Sequence, residues 1–101
     1  MANHLAYSLV ARPTPPTAAE LARAGVLADE LELALARPEV ARGRNGHGIT
    51  DTVACVRFLQ GERARAAGLW RRALALTLPG SGSLYRRRLA AAETADAPLP
   101  R

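Results

Sequence analysis

This chain has few side chains of the types that act as nucleophiles, bases or metal ligands, and they are widely separated in the sequence. His4 and His47 are the only histidines, and Cys55 is the only cysteine. No HExxH, paired-histidine or Cys/His spacing surrounds them, so the sequence predicts neither a metal site nor a histidine-assisted nucleophile. A cysteine inside a helix usually behaves as a small buried hydrophobe. We therefore expect no catalytic residue, no metal and no cofactor, and the protein is predicted not to be an enzyme.

Arginine positions decide whether the chain carries a nucleic-acid-binding surface. All 14 basic residues are Arg, and the formal charge is +5. Such a charge raises nucleic acid as a partner, but high-GC coding of the actinobacterial kind also favours Arg over Lys. Successive helical residues point about 100° apart, so the run 86–88 forms no flat patch by itself. A basic face would need several arginines to converge, namely Arg42, Arg44, Arg71, Arg72, Arg87 and Arg88.

Length and composition limit the architecture that must position these residues. A chain of 101 residues corresponds to one domain. Its residues are 49% hydrophobic but only 4% aromatic, which favours closely packed helices over a sheet sandwich. A single cysteine allows no internal disulfide and predicts a cytoplasmic location. The apolar run 5–11 is too short to cross a bilayer, so no membrane association is expected.

Helical periodicity predicts an all-α fold of four helices with no strand. Residues 1–16 end in ARPTPP and are predicted to form an extended arm. Thr17 and Glu20 form a capping-box pattern at the start of the first helix. Thr50 is expected to cap the second helix after a mobile glycine-rich loop that contains His47. The predicted helices are 17–37, 51–60, 62–77 and 83–95; they make one domain over residues 17–95, and residues 96–101 form a tail.

The predicted third helix carries the most specific motif of the chain. Its apolar residues at 66, 69, 70, 73 and 74 follow the spacing of one helical face, with Trp70 at the centre. The segment resembles a single degenerate tetratricopeptide repeat at about residues 47–80, a helix-turn-helix unit of about 34 residues in that family. The resemblance rests on a turn glycine, an acidic residue, small residues, an aromatic and a proline: Gly61, Glu62, Ala66, Trp70, Ala73, Leu74, Leu76 and Pro79.

The resemblance implies a four-helix antiparallel array of helical hairpins with a ligand groove on its concave side. The groove residues that it implies are Asp51, Cys55, Phe58, Tyr85 and Arg86. The spacing of 51, 55 and 58 supports a shared face independently, while ordinary core packing stays open for Cys55 and Phe58. A single repeat cannot bury its own apolar face, so flanking helices or a second copy must cover it.

These patterns predict a non-catalytic interaction module or small adaptor. Its expected partner is another protein or a peptide, and self-association as a homodimer is a further expectation. The alternative is a small Arg-rich nucleic-acid-associated regulatory protein that uses the arginine face.

Overall fold

The computed structural model describes residues 2–78 and 80–101, and these residues form six α-helices. No strand occurs in this part of the chain, which confirms the all-α class but not the predicted number of helices. Met1 of the predicted arm and Pro79 of the repeat motif lie outside the described residues. The helices are α1 (Ala2–Ala11), α2 (Ala18–Leu35), α3 (Pro38–Ala41), α4 (Gly46–Leu59), α5 (Arg63–Ala75) and α6 (Ser83–Ala92).

Helix α1 occupies the segment predicted to be an extended arm, and that prediction is wrong for residues 2–11. The prolines that suggested extension begin only at Pro13. Before them, Ala6 and Val10 lie four residues apart on one helical face, and both are completely buried. They join the core where α1 packs against α2 and α4. Burial against these helices stabilises a helix that is too short to be stable by itself.

Helix α2 begins with the capping box that the sequence predicts. The Thr17 hydroxyl accepts a hydrogen bond from the Glu20 amide at 3.1 Å, and the Glu20 carboxylate accepts one from the Thr17 amide at 2.9 Å. The helix ends at Leu35, slightly before the predicted 37. Pro38 then opens the short helix α3 at its first position, where a proline needs no amide partner.

Helix α4 lies at the centre of the molecule and begins inside the segment predicted to be a loop. Thr50 is therefore not its N-cap, and the Thr50 hydroxyl donates to the Gly46 carbonyl within the helix at 2.8 Å. Every residue from Thr50 to Phe58 is buried, because α1, α2 and α5 all pack on α4. The stretch from Thr50 to Phe58 therefore contributes to the core on all of its sides.

Helices α5 and α6 pack against each other, and each ends earlier than predicted. Helix α6 begins after Gly82, whose φ of +82° is favourable only for glycine, and Ser83 is its first residue, as predicted. The core also extends beyond the predicted limits of 17–95, because α1 and Leu99 belong to it. Among the described helices, none is both long enough and apolar enough to cross a bilayer.

Candidate functional site

Asp51 and Arg88 form a buried ion pair between α4 and α6. The Arg88 Nη1 donates to Oδ1 and Oδ2 of Asp51 at 2.9 and 2.8 Å. The indole Nε1 of Trp70 donates to the same Oδ1 at 2.8 Å, and Arg88 Nη2 lies 3.4 Å from the Tyr7 hydroxyl. One carboxylate thus connects α4, α5 and α6, and through Arg88 it is also linked to α1. Such a network needs every partner, because a buried charge without one is costly.

The predicted concave groove is not an accessible surface of this chain. Asp51, Cys55 and Phe58 are at most 6% exposed, and the Phe58 ring lies 5.9 Å from the Trp70 ring in the core. Core packing, the alternative left open for Cys55 and Phe58, is what the structure shows. Of the five predicted groove residues, only Tyr85, which is half-buried, and the exposed Arg86 reach the surface.

Cys55 has no features of a reactive cysteine. Burial raises the pKa of its thiol well above the ordinary value, and the negative charge of Asp51 raises the pKa further. Because the thiolate is the nucleophilic form, this thiol is unreactive at neutral pH. Within the described residues, His, Cys, Asp and Glu side chains form no group of three or more that could hold a metal ion.

The predicted basic face is also smaller than expected. Arg88 is 1% exposed and belongs to the core, and Arg71 pairs with Glu93 at 2.6 Å. Arg88 lies three residues before Ala91 and four before Ala92, both of which are buried, so it is on the core side of α6. Four arginines of the predicted face are exposed and make no ion pair within the part of the chain described here: Arg42, Arg44, Arg72 and Arg87.

A second arginine cluster joins α2 and α4 and was not predicted. The buried Arg57 donates to Glu32 at 2.8 Å and to Asp29 at 2.6 Å. Arg65 of α5 donates to the same Glu32 carboxylate at 2.8 Å. Burial acts to raise the pKa of Glu32, but the hydrogen bonds from Arg57 and Arg65 outweigh burial and hold this pKa below its ordinary value. The spacing of Asp29 and Glu32 on one face of α2 was the available sequence signal.

An open cleft of about 550 Å³ lies between the start of α4 and the connection from α5 to α6. We refer to it as the cleft. Its apolar wall includes Leu76 and Leu78, which are 38% and 77% exposed. Arg44 contributes the guanidinium of the lining, and none of the described lining residues is acidic. The volume is within the range of ligand-binding clefts.

His47 and Tyr85 form a polar pair in the lining of the cleft. The Nδ1 of His47 lies 2.8 Å from the Tyr85 hydroxyl, and the two rings are 5.8 Å apart. Burial raises the pKa of Tyr85 to about 12, with the negative charge of Asp51 as a further cause, so the phenol stays protonated at neutral pH. His47 was predicted to lie in a loop and is instead a half-buried residue of α4.

Arg86 lies next to the cleft, because its Nη1 donates to the carbonyl of Ser81 at 3.2 Å and Ser81 is a lining residue. Two residues of the predicted groove, Tyr85 and Arg86, are thus found at the cleft, and the other three are in the core. No sequence pattern indicated that Leu78 and Arg44 line one cleft, because they belong to two connections that are distant in sequence.

No family model matches the chain, and no curated protein or solved structure shows significant similarity to it. The resemblance to a tetratricopeptide repeat therefore stays a prediction that rests on the residues of the motif. What the structure does define is a class: an all-α protein with a buried ion-pair network and an open cleft.

Proposed function

We propose that the protein is a non-catalytic interaction module that binds a segment of another protein in the cleft. The observation that carries this proposal is the pairing of the exposed Leu78 with Arg44 in one concave surface. A single exposed leucine is ordinary on a protein surface. An apolar wall beside a basic side chain in a cleft is instead typical of a surface that a partner covers.

The chemistry of the cleft favours a partner segment with an aliphatic side chain beside an acidic one. Leu76 and Leu78 supply the apolar contact, and Arg44 supplies a planar guanidinium that binds carboxylates through two hydrogen bonds. Arg86 at the edge adds a second positive charge. Because no described lining residue is acidic, the electrostatic complement of this surface is negative.

The family resemblance supports the same class of function. Tetratricopeptide repeats bind protein segments, and the packing of α4 on α5 is compatible with one repeat hairpin. The binding surface proposed here differs from the concave groove of that family, since the corresponding residues Asp51 and Cys55 are buried. A reducing, cytoplasmic location and self-association remain parts of the proposal.

Quantitative affinity capture with matched variants tests the proposal. Tagged wild type, Leu78→Asp and Arg44→Glu are compared with Leu33→Asp, a control on α2 at which the leucine is 76% exposed, against 77% for Leu78. A true partner is recovered by wild type and by Leu33→Asp. With either cleft variant its recovery falls about tenfold, which corresponds to a loss of about 1.4 kcal/mol in binding free energy. A protein recovered equally by all four forms counts against the cleft.

A second candidate function is nucleic-acid binding. The observation that favours it is the exposure of Arg72 and Arg87 on α5 and α6, neither of which has an acidic partner among the residues described. Arginine neutralises phosphate and stacks on bases, and each neutralised phosphate makes the affinity fall with salt.

The test of this candidate is a gel shift over a range of salt concentrations. Wild type and the double variant Arg72→Glu/Arg87→Glu are compared with the matched control Arg23→Glu/Arg37→Glu, whose arginines are exposed in and after α2. Binding that weakens steeply with salt and is lost only in the first variant supports nucleic acid as the partner. Absence of any shift at about 50 mM salt removes the candidate.

A further inference from the structure

Residues 96–101, predicted to be a free tail, are packed onto the helices, and we call this segment the strap. Leu99 is 7% exposed and belongs to the core. The Nη2 of Arg63 donates to the Ala97 carbonyl at 2.7 Å, and the Nε of Arg88 donates to the Pro100 carbonyl at 2.8 Å. The side chain of Arg101 donates to the carbonyl of Arg12 in the connection between α1 and α2. The strap thus contacts α5, α6 and the connection between α1 and α2.

The helices hold the strap in the way that a domain holds a bound peptide. Pro98 and Pro100 have no amide donor and favour an extended backbone. The strap carbonyls accept hydrogen bonds from arginine side chains, and one leucine is buried between the two prolines. Backbone recognition combined with one buried side chain is the usual mode of binding an extended segment. The strap of a second copy of the chain could therefore make the same contacts.

The first residue of the strap, where it leaves the connection that follows α6, has an unfavourable backbone conformation. Asp96 has a φ of +64°, and it is the only residue other than glycine with a positive φ in the described part of the chain. Aspartate tolerates this left-handed region better than most residues other than glycine, but the conformation still costs free energy that the surrounding contacts offset. Short connections under strain are typical of segments that exchange between copies, because an open connection relieves the strain while the contacts are kept.

We propose that the strap is exchanged between two copies of this chain, so that each copy inserts Leu99 into the core of the other. The exchanged dimer uses the same contacts from Arg63 and Arg88 as the closed monomer. The balance between the two forms is set by the conformation at Asp96 and by protein concentration. This interface involves neither Leu78 nor Arg44 and is independent of the proposed partner cleft.

Variants of Asp96 test the proposal by multi-angle light scattering, which measures the fraction of dimer. Asp96→Pro fixes φ near −65° and prevents the closed connection, so the dimer fraction rises above that of wild type. Asp96→Gly permits the positive φ without strain, so the dimer fraction falls to the wild-type value or below it. Asp96→Pro combined with Leu99→Asp is monomeric, because the exchanged strap has lost its anchor. A folded Asp96→Pro protein that stays monomeric overturns the proposal.

A peptide experiment keeps the proposal testable if Asp96→Pro does not fold. The probe is a labelled peptide of residues 93–101, ETADAPLPR, added to the full-length Leu99→Asp protein, whose own strap no longer occupies the groove. We expect this peptide to bind, and to bind at least tenfold more weakly to wild type, where the strap competes. The same peptide with Asp in place of Leu should not bind. Equal binding of both peptides, or of neither, contradicts exchange.

Discussion

Asp51 is the residue on which α4, α5 and α6 converge, since its carboxylate accepts hydrogen bonds from both Arg88 and Trp70. Asp51→Ala leaves the Arg88 guanidinium buried without a counter-charge, a change that costs about 3–5 kcal/mol of the free energy of unfolding. Urea denaturation measures this loss. The exposed Glu30→Ala, which removes an acidic residue outside the network, should cost less than about 0.5 kcal/mol.

The double variant Asp51→Leu/Arg88→Met separates the cost of an unpaired charge from the worth of the pair. Apolar replacement of both members of a buried pair is often neutral, so we expect it to recover most of the stability lost in Asp51→Ala. If Asp51→Ala were as stable as wild type, Asp51 and Arg88 would not form a buried ion pair in solution.

Glu32 makes the stability of the fold depend on acid pH. Its folded-state pKa lies below the ordinary value of 4.5. The Glu32 carboxylate therefore stabilises the folded state at pH values above the ordinary pKa. This stabilisation is lost as the pH falls through the pKa of the folded state. Glu32→Gln should lower the free energy of unfolding at pH 7 and flatten its decline below about pH 5, as measured by urea unfolding across pH.

The matched control for this titration is Glu39→Gln, which removes an exposed carboxylate that makes no ion pair in the described residues. Its pH profile should follow that of wild type. If the two variants have the same profile, the contacts of Glu32 with Arg57 and Arg65 do not persist in solution.

Helix α1 is the element in which the structure differs most from the predicted fold. Ala6 is completely buried, whereas Ser8 on the same helix is exposed. Ala6→Leu should overpack the contact of α1 with the core and cost about 1–3 kcal/mol in thermal or urea unfolding. Ser8→Leu introduces the same side chain on the outer face and should change stability by less than about 0.5 kcal/mol. Similar effects of the two variants would contradict a docked α1.

Elements with local signals could be predicted from the sequence, and elements that depend on distant contacts could not. The capping box at Thr17 needs only residues three apart, so α2 was predicted with its start correct. Helix α1 and the first turns of α4 depend on packing against other helices, and the glycines of residues 43–48 gave the opposite signal. A polar residue that is buried by pairing also escapes prediction, because Asp51 and Arg88 are 37 residues apart in sequence.

The candidate site also depends on residues that are distant in sequence, so only part of it was predicted. Tyr85 and Arg86 were predicted at a binding surface and do lie at the cleft, but for a reason unrelated to the concave groove of a repeat. Arg44 and Leu78 line the same cleft only because the connection between α5 and α6 lies opposite the start of α4. Neither residue belongs to a periodic pattern, so no spacing rule could pair them.

At the scale of the whole molecule, charge is distributed unevenly. Helix α2 carries four acidic residues and one arginine, whereas α5 carries four arginines, α6 carries three, and neither of these two helices contains an acidic residue. Three of these seven arginines are ion-paired, namely Arg65, Arg71 and Arg88. The other four still attract an acidic partner towards the side of α5 and α6, which includes the wall of the cleft. Association with such a partner should slow as salt is added, because exposed charges are screened within about 10 Å at 0.1 M.

The cleft is proposed to bind an acidic and aliphatic segment of another protein. The most direct test of this proposal is the fluorescence anisotropy of a labelled synthetic peptide of alternating Leu and Glu, with a Leu and Lys peptide as its charge-reversed match. We predict that wild type and Leu33→Asp bind the Glu peptide, and that Leu78→Asp and Arg44→Glu bind it at least tenfold more weakly. Failure of wild type to prefer the Glu peptide, or equal binding by the cleft variants, would contradict the claim.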